Sequence, residues 1–125
     1  MSISKVTLNR YPSKPSPGEG WDPTSGPDVF ITINPGKNPN QTDFVSSLYE
    51  DATGELIFTK GLPKKITMQS DWSIGAWDND TENSDDYMGG FFFQADRKEG
   101  QYPTTVHCGN ETSLYYFTME VTWIF

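Results

Sequence analysis

Residues 115–125 have the sequence YYFTMEVTWIF, in which large apolar side chains recur at every second position. One face of an extended chain would carry Tyr115, Phe117, Met119, Val121, Trp123 and Phe125. The other face would carry the polar residues Thr118, Glu120 and Thr122. Because successive side chains of a β-strand point to opposite sides, this alternation predicts a strand with one apolar face.

The same period of two recurs along the chain and predicts the remaining strands. It is clear in residues 5–9, 29–33 and 72–76. Weaker candidates are residues 44–48, 55–59, 65–69, 90–95 and 104–108. No window has the sustained apolar stripe of a helix, and turn-rich segments separate the candidate strands. We therefore predict an all-β fold, an antiparallel eight-stranded β-sandwich.

Length and composition fit one domain. A chain of 125 residues can bury a core without disulfides, and the single cysteine, Cys108, can form no internal disulfide. Aromatic residues make up 14% of the chain, so Phe, Tyr and Trp must supply much of the core volume. The apolar alternation continues up to Phe125, and we expect a single domain over residues 1–125, excised from a longer protein.

The formal charge of -8 limits the partners that this domain can bind. Nucleic-acid phosphates require a basic surface, so we expect no nucleic-acid partner. No apolar run is long enough to cross a bilayer, so we expect no transmembrane segment. The sequence does not decide in which compartment the protein is located. One alternative is an extracellular or bacterial cell-envelope location, as part of a longer chain.

Five aspartates in two turn-rich segments are the informative polar residues. Asp22 and Asp28 bracket the turn Pro-Thr-Ser-Gly-Pro, and Asp28 opens a predicted strand. Asp78 and Asp80 follow another predicted strand, and Asp86 comes after a polar loop. Residues i and i+2 of an extended chain project to the same side, roughly 6.6 Å apart. Asp78 and Asp80 could therefore reach a cation between them.

Calcium suits this set of ligands best. It takes roughly six to eight oxygen ligands in flexible geometry, and five carboxylates offer at most about ten. That is enough for one ion, or for two if carboxylates bridge and carbonyls and water complete the shells. Zinc is a poor match because His107 and Cys108 are adjacent and lack a spaced partner pair. An EF-hand is excluded because Asn83 and Gly89 stand where that loop requires Gly and Glu.

These two segments resemble the calcium-binding loops of C2 domains. Residues 21–33, WDPTSGPDVFITI, are similar to the first loop, in which a second Asp follows the first after five residues and starts a strand. Residues 74–89, IGAWDNDTENSDDYMG, are similar to the third loop, in which Asp-x-Asp is followed by five residues, an Asp and then a Gly. The resemblance implies calcium ligands at Asp22, Asp28, Asp78, Asp80 and Asp86. It also implies phospholipase-type connectivity, because one strand precedes the first loop.

The chain departs from the family in features that concern lipids. It lacks a Lys-rich strand, and the loop tip at residues 81–85 has no apolar side chain that could enter a bilayer. We interpret the chain as a binding module, not an enzyme, in which one or two calcium ions order two loops that dock a partner or membrane surface. The alternative is a structural, adhesion or carbohydrate-binding module of a secreted or cell-surface protein, with calcium in a structural role. Whether the partner is a protein, a glycan or a phospholipid headgroup stays open.

Overall fold

The computed structural model describes residues 1–11, 27–36, 43–50, 52–67, 71–79, 86–95, 102, 104–108 and 116–125. Its strands are β1 (Ser2–Arg10), β2 (Val29–Pro35), β3 (Phe44–Val45), β4 (Leu56–Phe58), β5 (Lys64–Lys65), β6 (Asp71–Asp78), β7 (Asp86–Gln94), β8 (Thr105–Cys108) and β9 (Phe117–Ile124). Among these residues there is no helix that could span a membrane.

The strands form two antiparallel sheets that pack as a sandwich, which confirms the predicted fold class. One sheet has the strand order β4-β1-β9-β8, with β5 also paired to β1. The other sheet has the order β3-β2-β6-β7. Every strand pair within the described residues is antiparallel.

Within the described residues the chain forms nine strand segments, each overlapping one of the nine candidate ranges, whereas the predicted sandwich had eight strands. The short segments β4 and β5 both pair with β1. β4 lies opposite Val6–Leu8, and β5 lies opposite Ser2–Ile3. Between them the chain turns, and the Leu62 N–H donates a hydrogen bond to the Thr59 carbonyl (3.0 Å). One edge position of the sheet is therefore filled by two segments, because a local turn interrupts the strand.

The core lies between the sheets and is built from the alternating faces of the long strands. Its fully buried side chains include Ile3, Val6, Leu8, Val29, Ile31, Ile33, Ile74, Phe117 and Met119. Burying each such side chain contributes about 1.5–3 kcal/mol relative to leaving it in water. Apart from Ile3, these residues fall on the faces that the period-two pattern predicted in β1, β2, β6 and the first half of β9. A register shift between Ile3 and Lys5 brings Ile3 into the core outside that pattern.

The apolar face of β9 is not buried along its whole length. Phe117, Met119 and Val121 are buried, but Trp123 is half-buried and Phe125 is 53% exposed. On one side β8 pairs with β9 only as far as Glu120, whereas on the other side β1 pairs with it as far as Ile124. Within the described residues, the end of β9 therefore has a paired strand on one side only.

Candidate metal site at the aspartate end

The start of β2, the end of β6 and the start of β7 lie side by side at one end of the four-stranded sheet. Val29 pairs with Asp78, and Asp78 pairs with Asp86. Asp28 immediately precedes Val29. Neighbouring strands are about 4.8 Å apart, so these three aspartate positions fall within roughly 10 Å across the sheet. We call this region, residues 27–29, 78–79 and 86, the aspartate end.

Two hydrogen bonds connect Asp28 to the end of β6. The Asp28 backbone N–H donates to Oδ1 of Asp78 (2.9 Å), and the Asn79 N–H donates to the Asp28 carbonyl (2.8 Å). The first of these bonds joins residues 50 positions apart in the sequence. The Asp78 carboxylate thus helps to hold the start of β2 in place.

The start of β2 is also held from its other side. Val29 exchanges two backbone hydrogen bonds with Tyr49 (2.9 and 2.8 Å), and the Ala52 N–H donates to the Pro27 carbonyl (2.7 Å). The backbone before and after Asp28 is therefore fixed by contacts with both neighbouring segments. A carboxylate on such a backbone is positioned before any ligand binds, which reduces the entropy lost on binding.

The carboxylates of Asp28 and Asp78 differ in burial. Asp78 is only 2% exposed, whereas Asp28 is half-buried. Removing a carboxylate from water is unfavourable unless hydrogen bonds or a cation compensate. The Asp28 N–H supplies one such bond, and a calcium ion would supply an opposite charge. Oxygen ligands of this kind are those that calcium prefers, so the two described side chains fit the predicted metal.

A row of three aromatic side chains lies one position further along the same strands. Phe30 pairs with Trp77, and Trp77 pairs with Tyr87. The Phe30 and Trp77 rings are nearly parallel (6.5 Å, 13°), and Tyr87 meets Trp77 at a steep angle (5.0 Å, 64°). The Trp77 Nε1–H donates to Thr32 Oγ1 (3.0 Å). A one-residue slip would move these rings to the other face, so the row stabilises the register that aligns the aspartates.

A β-bulge and a close glycine contact shape the start of β7. The register shifts between Ala76 and Trp77, which leaves Met88 as the extra residue on β7. A Cβ atom on Gly89 would lie 2.9 Å from Cγ of the buried Phe117. Only a glycine lets β7 approach the opposite sheet this closely, so the strand that begins at the aspartate end is anchored in the core.

The structure places three of the five predicted ligands at the aspartate end. The side chains of Asp28 and Asp78 are described, and Asp86 is described as part of the β7 backbone. Asp22 and Asp80 lie outside the described residues. Within the part of the chain that is described, no three Asp, Glu, His or Cys side chains are close enough to hold a metal ion. The complete ligand set therefore stays a prediction.

Two contributions to this region were missed in the sequence analysis. The contacts of Tyr49 and Ala52 with the start of β2 carry no local signal, because tertiary pairing alone creates them. The aromatic row does carry a signal that could have been used. Phe30, Trp77 and Tyr87 each lie within two positions of a predicted ligand, on three separate strands.

His107, which the sequence analysis rejected as a zinc ligand, contacts the aromatic residue Tyr116. Its Nδ1 is hydrogen-bonded to the Tyr116 hydroxyl (2.7 Å), and the two rings are stacked (6.0 Å, 17°). The Arg10 guanidinium lies over the same Tyr116 ring, 4.6 Å from its centroid. The described contacts of His107 are thus with the ring and hydroxyl of Tyr116, and the same ring takes part in a cation–π contact with Arg10.

Comparison with known proteins does not assign this chain to a family. No model of a protein family matches the sequence, and no curated protein is significantly similar to it. What the structure establishes is a two-sheet antiparallel β-sandwich with an ordered aspartate end.

Proposed function

We propose that this chain is a calcium-binding, C2-like module that binds one or two calcium ions at the aspartate end. The ligands would be Asp22, Asp28, Asp78, Asp80 and Asp86. The observation that supports this most strongly is the strand register Val29–Asp78–Asp86, together with the 2.9 Å hydrogen bond between Asp28 and Asp78. It brings carboxylate-bearing positions from the two separate sequence segments to one end of one sheet.

The connectivity of the strands supports the same proposal. One strand, β1, precedes the segment that carries Asp22, and β2 follows it. The segment that carries Asp80 joins β6 to its neighbour β7. If β4 and β5 are taken as one edge position, the sandwich has eight strand positions, as the C2 resemblance implies.

Calcium would act here through charge and loop order. Each ion adds two positive charges, so two ions would change the formal charge from -8 to about -4 and neutralise most of the charge of the five ligand carboxylates, and each ion could still accept an oxygen ligand from a partner. That end could then bind a carboxylate or phosphate group of a protein, glycan or phospholipid headgroup. In this role the chain would be a binding module, and none of the five aspartates would be catalytic.

A purely structural role for calcium is the second candidate, and the burial of Asp78 favours it. This carboxylate is 2% exposed, and its Oδ1 already accepts a hydrogen bond from the start of β2. An ion bound to it would cross-link two strands, with little of its surface available to a partner. The chain would then be a structural, adhesion or carbohydrate-binding module that calcium stabilises.

Calorimetric titration with calcium after chelator treatment tests the proposal. Asp22→Asn, Asp78→Asn and Asp80→Asn should each weaken binding by about tenfold or more, since each removes a charged ligand. Asparagine at position 78 can still accept the hydrogen bond from Asp28. Asp71→Asn is the matched control, because Asp71 lies at the opposite end of β6. No binding of calcium at millimolar concentration, or an effect confined to one segment, would contradict the shared site.

Co-sedimentation with phosphatidylserine vesicles, with and without calcium, separates the docking roles. We expect weak binding at physiological salt, because the chain is acidic and residues 81–85 contain no apolar side chain. Calcium-dependent binding in the low-micromolar range would instead assign the aspartate end to membrane attachment.

A further inference from the structure

We draw no further inference here: the strongest candidate, the apolar surface patch on the outer face of the four-stranded sheet, where the Tyr87 and Phe92 side chains of β7 are exposed, carries none because nothing in the structure shows what covers it.

Discussion

The aspartate end and the opposite end of this sandwich, where Phe93, Tyr102, Trp123 and Phe125 pack together (the aromatic end), are stabilised by different interactions. At the aspartate end, directed hydrogen bonds from Asp28, Asn79 and Ala52 fix the start of β2. At the aromatic end, the contacts are between rings, and Phe93 meets both Tyr102 and Trp123 edge-on at 6.2 and 5.2 Å. Hydrogen bonds specify geometry at a small net gain in stability, whereas aromatic burial contributes more but tolerates more variation.

This difference indicates that the proposed ligand-binding site and the main source of stability lie in different parts of the sandwich. If the five aspartates converge as proposed, their carboxylates would repel one another without a cation, and the aspartate end would oppose folding until a ligand neutralised it. The aromatic end and the core supply the burial that offsets this cost. We therefore expect the stability of the aspartate end to depend on calcium and that of the aromatic end to be independent of it. Four experiments test this contrast, from the largest expected effect to the smallest.

Phe93→Ala should have the largest effect. Phe93 is 2% exposed, and truncating a buried Phe costs roughly 3–5 kcal/mol through lost burial and the cavity that remains. Urea unfolding in chelator measures this loss. The adjacent Phe92→Ala is the control and should change stability by less than about 0.5 kcal/mol, since Phe92 is 60% exposed. Equal losses in the two variants would mean that ring packing does not stabilise the aromatic end.

Saturation with calcium should have the next largest effect. At a hundred times the dissociation constant, a ligand that binds only the folded state adds about 2.7 kcal/mol, or several degrees in Tm. The gain should be the same in Phe92→Ala, whose substitution is remote from the aspartates, and absent in Asp80→Asn. Thermal unfolding with calcium and with chelator measures it. A gain that persists in Asp80→Asn would place the ion elsewhere.

Asp78→Ala should destabilise the calcium-free protein more than Asp78→Asn does, by about 1–3 kcal/mol. Alanine leaves the Asp28 N–H without the acceptor that Oδ1 provides, whereas asparagine keeps an oxygen in that place. Asparagine also removes a negative charge, so its own effect should be close to zero or slightly stabilising. Urea unfolding in chelator compares the two. If both variants lose the same stability, the Asp28–Asp78 bond does not hold the start of β2.

Phe125→Ala should have the smallest effect on stability, within about 0.5 kcal/mol, because the side chain is 53% exposed. Its calcium affinity should equal that of the unmodified protein. Thermal unfolding and calcium calorimetry check the two expectations. A large loss of stability would show that the Phe125 side chain contributes to the core and not only to the surface.

Much of the fold could be predicted from the sequence because its main signal is local. Alternation in residues 29–33, 72–76 and 115–125 predicted β2, β6 and β9, since the period of two follows from the geometry of an extended backbone. The positions of the aspartates beside these strands were equally visible. Their placement at strand ends is observed for Asp28, Asp78 and Asp86.

The sequence by itself thus determined the fold class, the buried faces and which strand ends carry carboxylates. Only the tertiary structure decided that β4 and β5 share one edge, that Phe125 lies in the open, and that Asp28 bonds to Asp78 across 50 positions. The physical reason is the sequence separation over which each interaction acts. Backbone geometry imposes its period on adjacent residues, whereas register and exposure depend on which distant segments pack together and where a neighbouring strand stops.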